Sequence, residues 1–178
     1  GTNKLGGILL TLVVAVTGIS FSLPLGIALA LGRRSNLPAL RAVCVIFIEF
    51  IRGVPLITLL FVASTMLTYF LPPGSTFDLL MRVLIMVTLF ASAYIAEVVR
   101  GGLQGLSSGQ YEAADALGLS YWKAHRLVIL PQALKISIPG IVNTFIGSYK
   151  DSTLVLIIGM MDILGLGRAR LNDPDWLG

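Results

Sequence analysis

The stretch "GQYEAADALGLSYWKAHRLVILP", residues 109 to 131, decides how the chain is read, because it is charged and helix-favouring while its surroundings are apolar. Gly109 is an acceptable N-cap, and Glu112 is placed to reach back as in a capping box, its charge favoured at the positive end of a helix. "QYEAADAL" continues the helix, Gly118 is suited to stop it in a left-handed conformation, and Ser120 is placed to cap a second helix. Pro131 should interrupt or kink that second helix. The segment therefore reads as helix, glycine turn, helix. Ala113 and Ala114 leave a face of low relief that a partner backbone could approach. The residues alone leave two roles open, a docking element and a solvated amphipathic connector.

Outward from this insert the composition places the chain in a membrane. It is 56% hydrophobic, 12% charged and has mean hydropathy +0.89, against about 25% charged residues in ordinary soluble domains. About four spans fit, and no soluble domain fits beside them. Although the net charge is +4, no basic run exceeds Arg33-Arg34 and no aromatic stacking motif interleaves the cations, so nucleic acid is not a partner. Cys44 is the only cysteine and lies in an apolar run, where it reads as a small buried hydrophobe. The apolar stretch from Leu5 to Gly32 is too long for a signal-peptide core and reads as a true span, with Pro24 and Gly26 as expected kink points. A chain beginning with Gly1 is expected to be truncated or processed.

A second apolar stretch is interrupted by Glu49, Arg52 and "RGVP"; residues 39 to 51 read as an interfacial helix leading into a span from Val54 to Leu71. A third span covers about Leu79 to Val99, and a fourth begins at Ile136. The connections at 32–41 and 100–135 carry Arg33, Arg34, Arg41, Arg100, Lys123, Arg126 and Lys135, whereas the 72–78 loop carries no Lys or Arg, which puts the insert in the cytoplasm.

Charged residues at membrane depth must be paired or face water. Glu49 with Arg52, and Glu97 with Arg100, are three apart and are expected to form structural ion pairs on one helical face. Lys150 and Asp151 are adjacent, so their side chains diverge on a helix. With Asn143, Ser152 and Thr153 they are candidates for a substrate pathway, a surface that would meet both charges of an amino acid; the equal alternative is that Lys150 snorkels to the outer interface. No Gly-Lys pair exists for a phosphate-binding loop, and "GLGR" at 165–168 lacks the rest of a dinucleotide fingerprint. His125, beside Lys123 and Arg126, reads as solvated or partner-facing and not as a metal ligand. The chain is not expected to be an enzyme.

"EAADALG" followed after nine residues by "VILP" resembles the cytoplasmic EAA loop of ABC-importer permeases, departing only by Val128 where the pattern has Ile. "IEFIRGVPL", "AEVVRGGLQ", "LPQALK" and "KDSTLVLIIG" resemble, in order and spacing, the polar amino-acid uptake subfamily. The resemblance implies an all-α, polytopic transmembrane bundle of the type I, MetI-like class, a single permease domain over residues 1–178 with the EAA coupling loop at 100–135 inside it. It implies Glu112, Ala113, Ala114, Gly118, Leu130 and Pro131 as residues coupling to an ABC ATPase subunit. It implies a second permease subunit, identical or paralogous, an extracytoplasmic amino-acid-binding protein, lipid contact and a place in the bacterial cytoplasmic (inner) membrane. No cofactor is implied for this chain; ATP and Mg would sit on the ATPase. A final span is expected beyond "DPDW" at 173–176. The alternative is a gradient-driven secondary amino-acid transporter or channel.

Overall fold

The computed structural model describes residues 2–65, 79–148 and 150, and its ordered elements there are all helices. Helix α1 spans Thr2–Arg33 and runs through Pro24 and Gly26 as one helix. The absent side chain of Gly26 is needed for packing: a Cβ there would lie 2.6 Å from Ile95 Cγ2. The last turn of α1 tightens through Arg34 N–H to Leu31 O and Ser35 N–H to Gly32 O, both 3.1 Å. Leu37 is extended, as a residue before proline must be, and Pro38 opens α2, Pro38–Gly53, where a missing N–H costs nothing.

One side of α2 buries Cys44, Ile48 and Ile51 at helical spacing, while the other side exposes Val43, Ile46 and Phe50. A helix apolar on both sides suits a place between protein and lipid. Val54, extended because Pro55 follows, ends α2, and α3, Leu56–Thr65, leaves at 102° to it. The bend falls at the boundary expected between the 39–51 helix and the segment beginning at Val54. The remainder of the expected Val54–Leu71 span, the 72–78 loop and everything beyond 150 lie outside the described residues.

Helix α4, Leu79–Gln104, is the centre of the bundle. Gly18 faces Val87 and Gly26 faces Ile95, so α1 and α4 run parallel. Leu56 and Leu60 pack with Val87, and Ile51 and Leu59 with Ala93, which seats the α2–α3 bend on α4. Short helix α5 covers Ser108–Ala116, and α6 covers Tyr121–Ser148. Gly140 meets Val98, and Gly102 meets Ala133 and Ser137, which makes α6 antiparallel to α4. Glycine at the α1–α4 and α4–α6 contacts lets backbones approach where lipid gives no hydrophobic drive for helix association. Ala30, Ile48, Ile95, Ala96, Val99, Leu103, Ile129 and Ala133 close the main core. Buried hydroxyls are satisfied locally: Ser22 donates to Ile19 O (3.2 Å) and Ser92 to Leu89 O (2.7 Å). Ser137 Oγ lies 2.8 Å from Ala133 O and 3.2 Å from Val98 O, linking α6 to α4.

The second helix of the insert and the fourth span are one helix, contrary to the expected interruption at Pro131. Residues His125–Ile129 form a π turn, with Leu130 N–H donating to His125 O five residues back. In an unbroken α-helix the Pro131 ring would crowd the Leu127 carbonyl and leave it without a donor. Widening the preceding turn relieves both, so the helix passes the proline. Among the described residues, three stretches are long and apolar enough to cross a membrane, Val16–Arg33, Leu84–Gln104 and Tyr121–Ser148, and the bent pair α2–α3 passes the same test when taken together.

Candidate coupling site and its charged base

The insert begins at a different residue from the one its sequence indicated. Ser107 is the N-cap of α5, its side chain making no cap bond, and Gly109 and Glu112 lie inside the helix, so the expected capping box does not form. Gly118 adopts φ +68°, the left-handed turn expected of it, and its N–H donates to Asp115 O at 2.9 Å. Leu119 N–H reaches Ala114 O at 3.1 Å, closing the helix end. Ser120 is the N-cap of α6 by position, with no bond from its hydroxyl.

Glu112, Ala113 and Gly118 are exposed, whereas Ala114 is buried. The two alanines therefore do not share an open face: Ala114 packs inward and Ala113 alone looks outward. Leu117 at the tip is 77% exposed and Trp122 is 72% exposed, a concentration of apolar surface beside the glycine turn. Leu130 packs against the main core, and Pro131 is exposed on α6, away from that tip along the helix.

Other residues hold α5 in place, and the sequence did not mark them. Tyr111 packs on the main core, donates to Leu103 O at 3.3 Å and accepts from Arg34 Nη1 at 3.2 Å, the guanidinium also lying 5.7 Å from the ring centroid. Gln132 Nε2 donates to Gln110 Oε1 at 2.8 Å and to Val128 O at 3.0 Å, tying α6 to α5. These partners are distant in sequence, so no spacing rule could pair them. His125 is buried, its Nδ1 2.9 Å from Tyr121 O and its ring 4.0 Å from that of Tyr121. It is not solvated, but packed between the rings of Tyr111 and Tyr121.

Beneath this element lies a cluster of ions at the common end of α1 and α4. Glu97, its side chain 15% exposed, meets Arg33 at 2.7 Å, Arg100 at 2.9 Å and Arg52 at 3.6 Å. Arg100 Nε also donates to both Glu97 oxygens, a forked contact that suits a guanidinium. The Glu97–Arg100 pairing matches its three-residue spacing; the expected Glu49–Arg52 pair does not form. Glu49 instead meets Arg33 at 2.9 Å and is 55% exposed, while Arg52 turns to Glu97 and lies 5.6 Å from the centroid of Tyr94. The reason is solvation: the less hydrated carboxylate at the helix crossing draws the available cations, and the exposed one is left a single partner. Arg33, a topology signal in the sequence, joins α2 to α4.

Of the expected pathway residues, Asn143 is exposed on α6 and Lys150 is exposed at its far end. Asp151, Ser152 and Thr153 lie outside the described residues.

Residues 22–176 match the family model described as "Binding-protein-dependent transport system inner membrane component". The chain belongs to this family. Within it, the chain is similar to the glutamate/glutamine/aspartate/asparagine transport system permease protein BztC of Rhodobacter capsulatus, 62% identical over 99% of this chain and 41% of that protein. It is also similar to the inner membrane amino-acid ABC transporter permease protein YhdY of Escherichia coli, 58% identical over 99% of this chain and 48% of that protein. The chain thus spans less than half the length of these two curated relatives. A crystal structure of an amino acid ABC transporter with histidines superposes with TM-score 0.75 and 31% identity, covering 97% of this chain and 82% of that one. Binding-protein-dependent permeases are inner-membrane transporter components, and the apolar helices described above fit that setting.

Proposed function

We propose that this chain forms part of the translocation pathway of an ATP-driven importer of polar amino acids, and that α5 with the Gly118 turn transmits force from a separate ATPase subunit. The observation that carries the reading is the exposed tip: a helix fixed at its base by Tyr111 and Gln110, presenting Glu112, Ala113 and Leu117 outward beside a glycine in the left-handed region. Leu117, exposed beside the glycine turn, supplies apolar surface for such a partner. The relatives' names support amino acids as cargo, and the first of them supports acidic amino acids and their amides.

In this reading ATP and Mg act on the ATPase, a second permease subunit completes the pathway, and an extracytoplasmic binding protein delivers the substrate. The insert faces the cytoplasm, where ATP is. Asn143 and the Lys150–Thr153 segment line the route, the cation meeting the substrate carboxylate and Asp151 its ammonium. The ATPase drives the cycle through its different affinity for two arrangements of α5.

Uptake of labelled glutamate, glutamine, aspartate and asparagine into proteoliposomes holding the complete complex tests this. ATP-dependent uptake abolished by Glu112→Lys and by Leu117→Asp, with the complex still assembled in the membrane, is the expected result. ATP-independent uptake would replace the reading with a gradient-driven carrier or channel.

A further inference from the structure

The ion cluster opens into a cavity of about 450 Å³ lined by Arg33, Arg34, Arg41, Val45, Arg100 and Gln104. Glu49 and Glu97 are the carboxylates of this cluster, and both are already bonded to arginines. Arg33, Arg34, Arg41, Arg52 and Arg100 thus outnumber their counter-ions, and Arg41 is exposed with no ion pair among the described residues. Beside the cavity, sharing Arg34 as a wall, runs a groove of about 610 Å³ whose lining is predominantly apolar, including Pro24, Ile27, Leu31, Leu40, Tyr121 and Trp122. Ser35 and Asn36 line both that groove and a third hollow bounded by Arg34 and Arg41. The basic end lies where the spans Val16–Arg33 and Leu84–Gln104 terminate, and the groove descends along α1 into the span.

We infer that this basic cavity and the apolar groove beside it bind an anionic phospholipid, its phosphate between Arg34 and Arg41 and one acyl chain along Ile27, Leu31 and Leu40. An ion alone would leave the groove unexplained, and a neutral lipid would leave the positive charge uncompensated. A phosphodiester on an acyl chain satisfies both at one depth. Basic pockets at the cytoplasmic ends of spans favour anionic headgroups on electrostatic grounds, and tyrosine and tryptophan suit that interfacial level. Because Arg34 also bonds Tyr111, the lipid phosphate shares a guanidinium with the base of α5.

The test is a native mass-spectrometric titration of the complete complex, built from the full-length chain, with phosphatidylglycerol and phosphatidylcholine of identical acyl chains. Phosphatidylglycerol should be retained in preference, and Arg34→Gln combined with Arg41→Gln should weaken its retention about thirtyfold, to near that of phosphatidylcholine. Arg41→Gln alone disturbs no ion pair described here and should weaken retention about fivefold, so a misfolded double variant leaves the inference testable. Leu40→Trp should cut retention while every charge remains. Equal retention of the two lipids overturns the inference, as does retention unaltered in these variants. Displacement of the lipid by inorganic phosphate at matching concentration overturns it in favour of a free-anion site. Efficient cross-linking of Arg41→Cys to the ATPase subunit overturns it in favour of a protein partner.

Discussion

Removing the Glu97 carboxylate should damage the bundle far more than removing that of Glu49, although both residues sit in one ion network. Glu97 is 15% exposed and meets three guanidiniums; Glu49 is 55% exposed and meets one. Breaking a buried pair by deleting one partner costs about 3–5 kcal/mol, because the remaining charge is left uncompensated. The arginines here are 22–35% exposed, so water recovers part of that loss. Glu97→Gln should therefore cost about 2–3 kcal/mol, and Glu97→Leu somewhat more, since it also removes the acceptor. An exposed pair contributes about 0–1 kcal/mol, which bounds Glu49→Gln. Reversible unfolding of the full-length chain in mixed micelles, followed by helical circular dichroism, gives both values. A double-mutant cycle of Glu97→Gln with Arg33→Gln should show coupling of about 1 kcal/mol or more. Equal costs for Glu97→Gln and Glu49→Gln, or a cycle that closes to zero, would refute the assignment of Glu97 as the centre of the network.

Gly26→Ala drives a methyl toward the Ile95 side chain and the Ser92 carbonyl; it should cost about 1–3 kcal/mol in the same assay, with Ile95→Ala restoring part of the loss. Gly118→Ala meets no neighbour, so its cost, about 1 kcal/mol, comes only from the left-handed backbone, and Gly118→Asn should cost less. Replacing Gln132 by Leu should loosen α5 and raise amide hydrogen exchange in residues 108–116, an effect that Gln110→Leu should reproduce without adding to it.

The membrane bundle was legible because apolar runs of span length leave little alternative, and Pro55 and Gly118 each fix local backbone geometry that needs no tertiary information. The helix start at Ser107 was missed because Ser107, Ser108 and Gly109 are all acceptable caps, and the pattern of Glu112 favoured the wrong one. The Glu49–Arg52 expectation failed for a different reason. Spacing shows which charges are close along one helix, but not that a better-buried carboxylate on α4 competes for them. Tyr111 and Gln132 act between elements, and such contacts leave no periodic trace. The exposed Leu117 was invisible because a leucine beside Gly118 reads equally well as buried.

The widened turn at His125–Ile129 amounts to one extra residue wound into an otherwise regular rod. Each residue of a regular α-helix advances it by about 100°, so the sequence pattern of the tip bearing Tyr121 and Trp122 is shifted by one position against that of Ala133, Ser137 and Gly140, which face α4. The two halves of α6 are thus cut to different reading frames, as in a gear whose teeth are offset across a seam. Deleting a single residue within 125–129 would close the turn to ordinary α-helix and set the Pro131 ring against the carbonyl four residues before it. The extra residue is thus what lets the tip and the membrane half remain one helix across the proline.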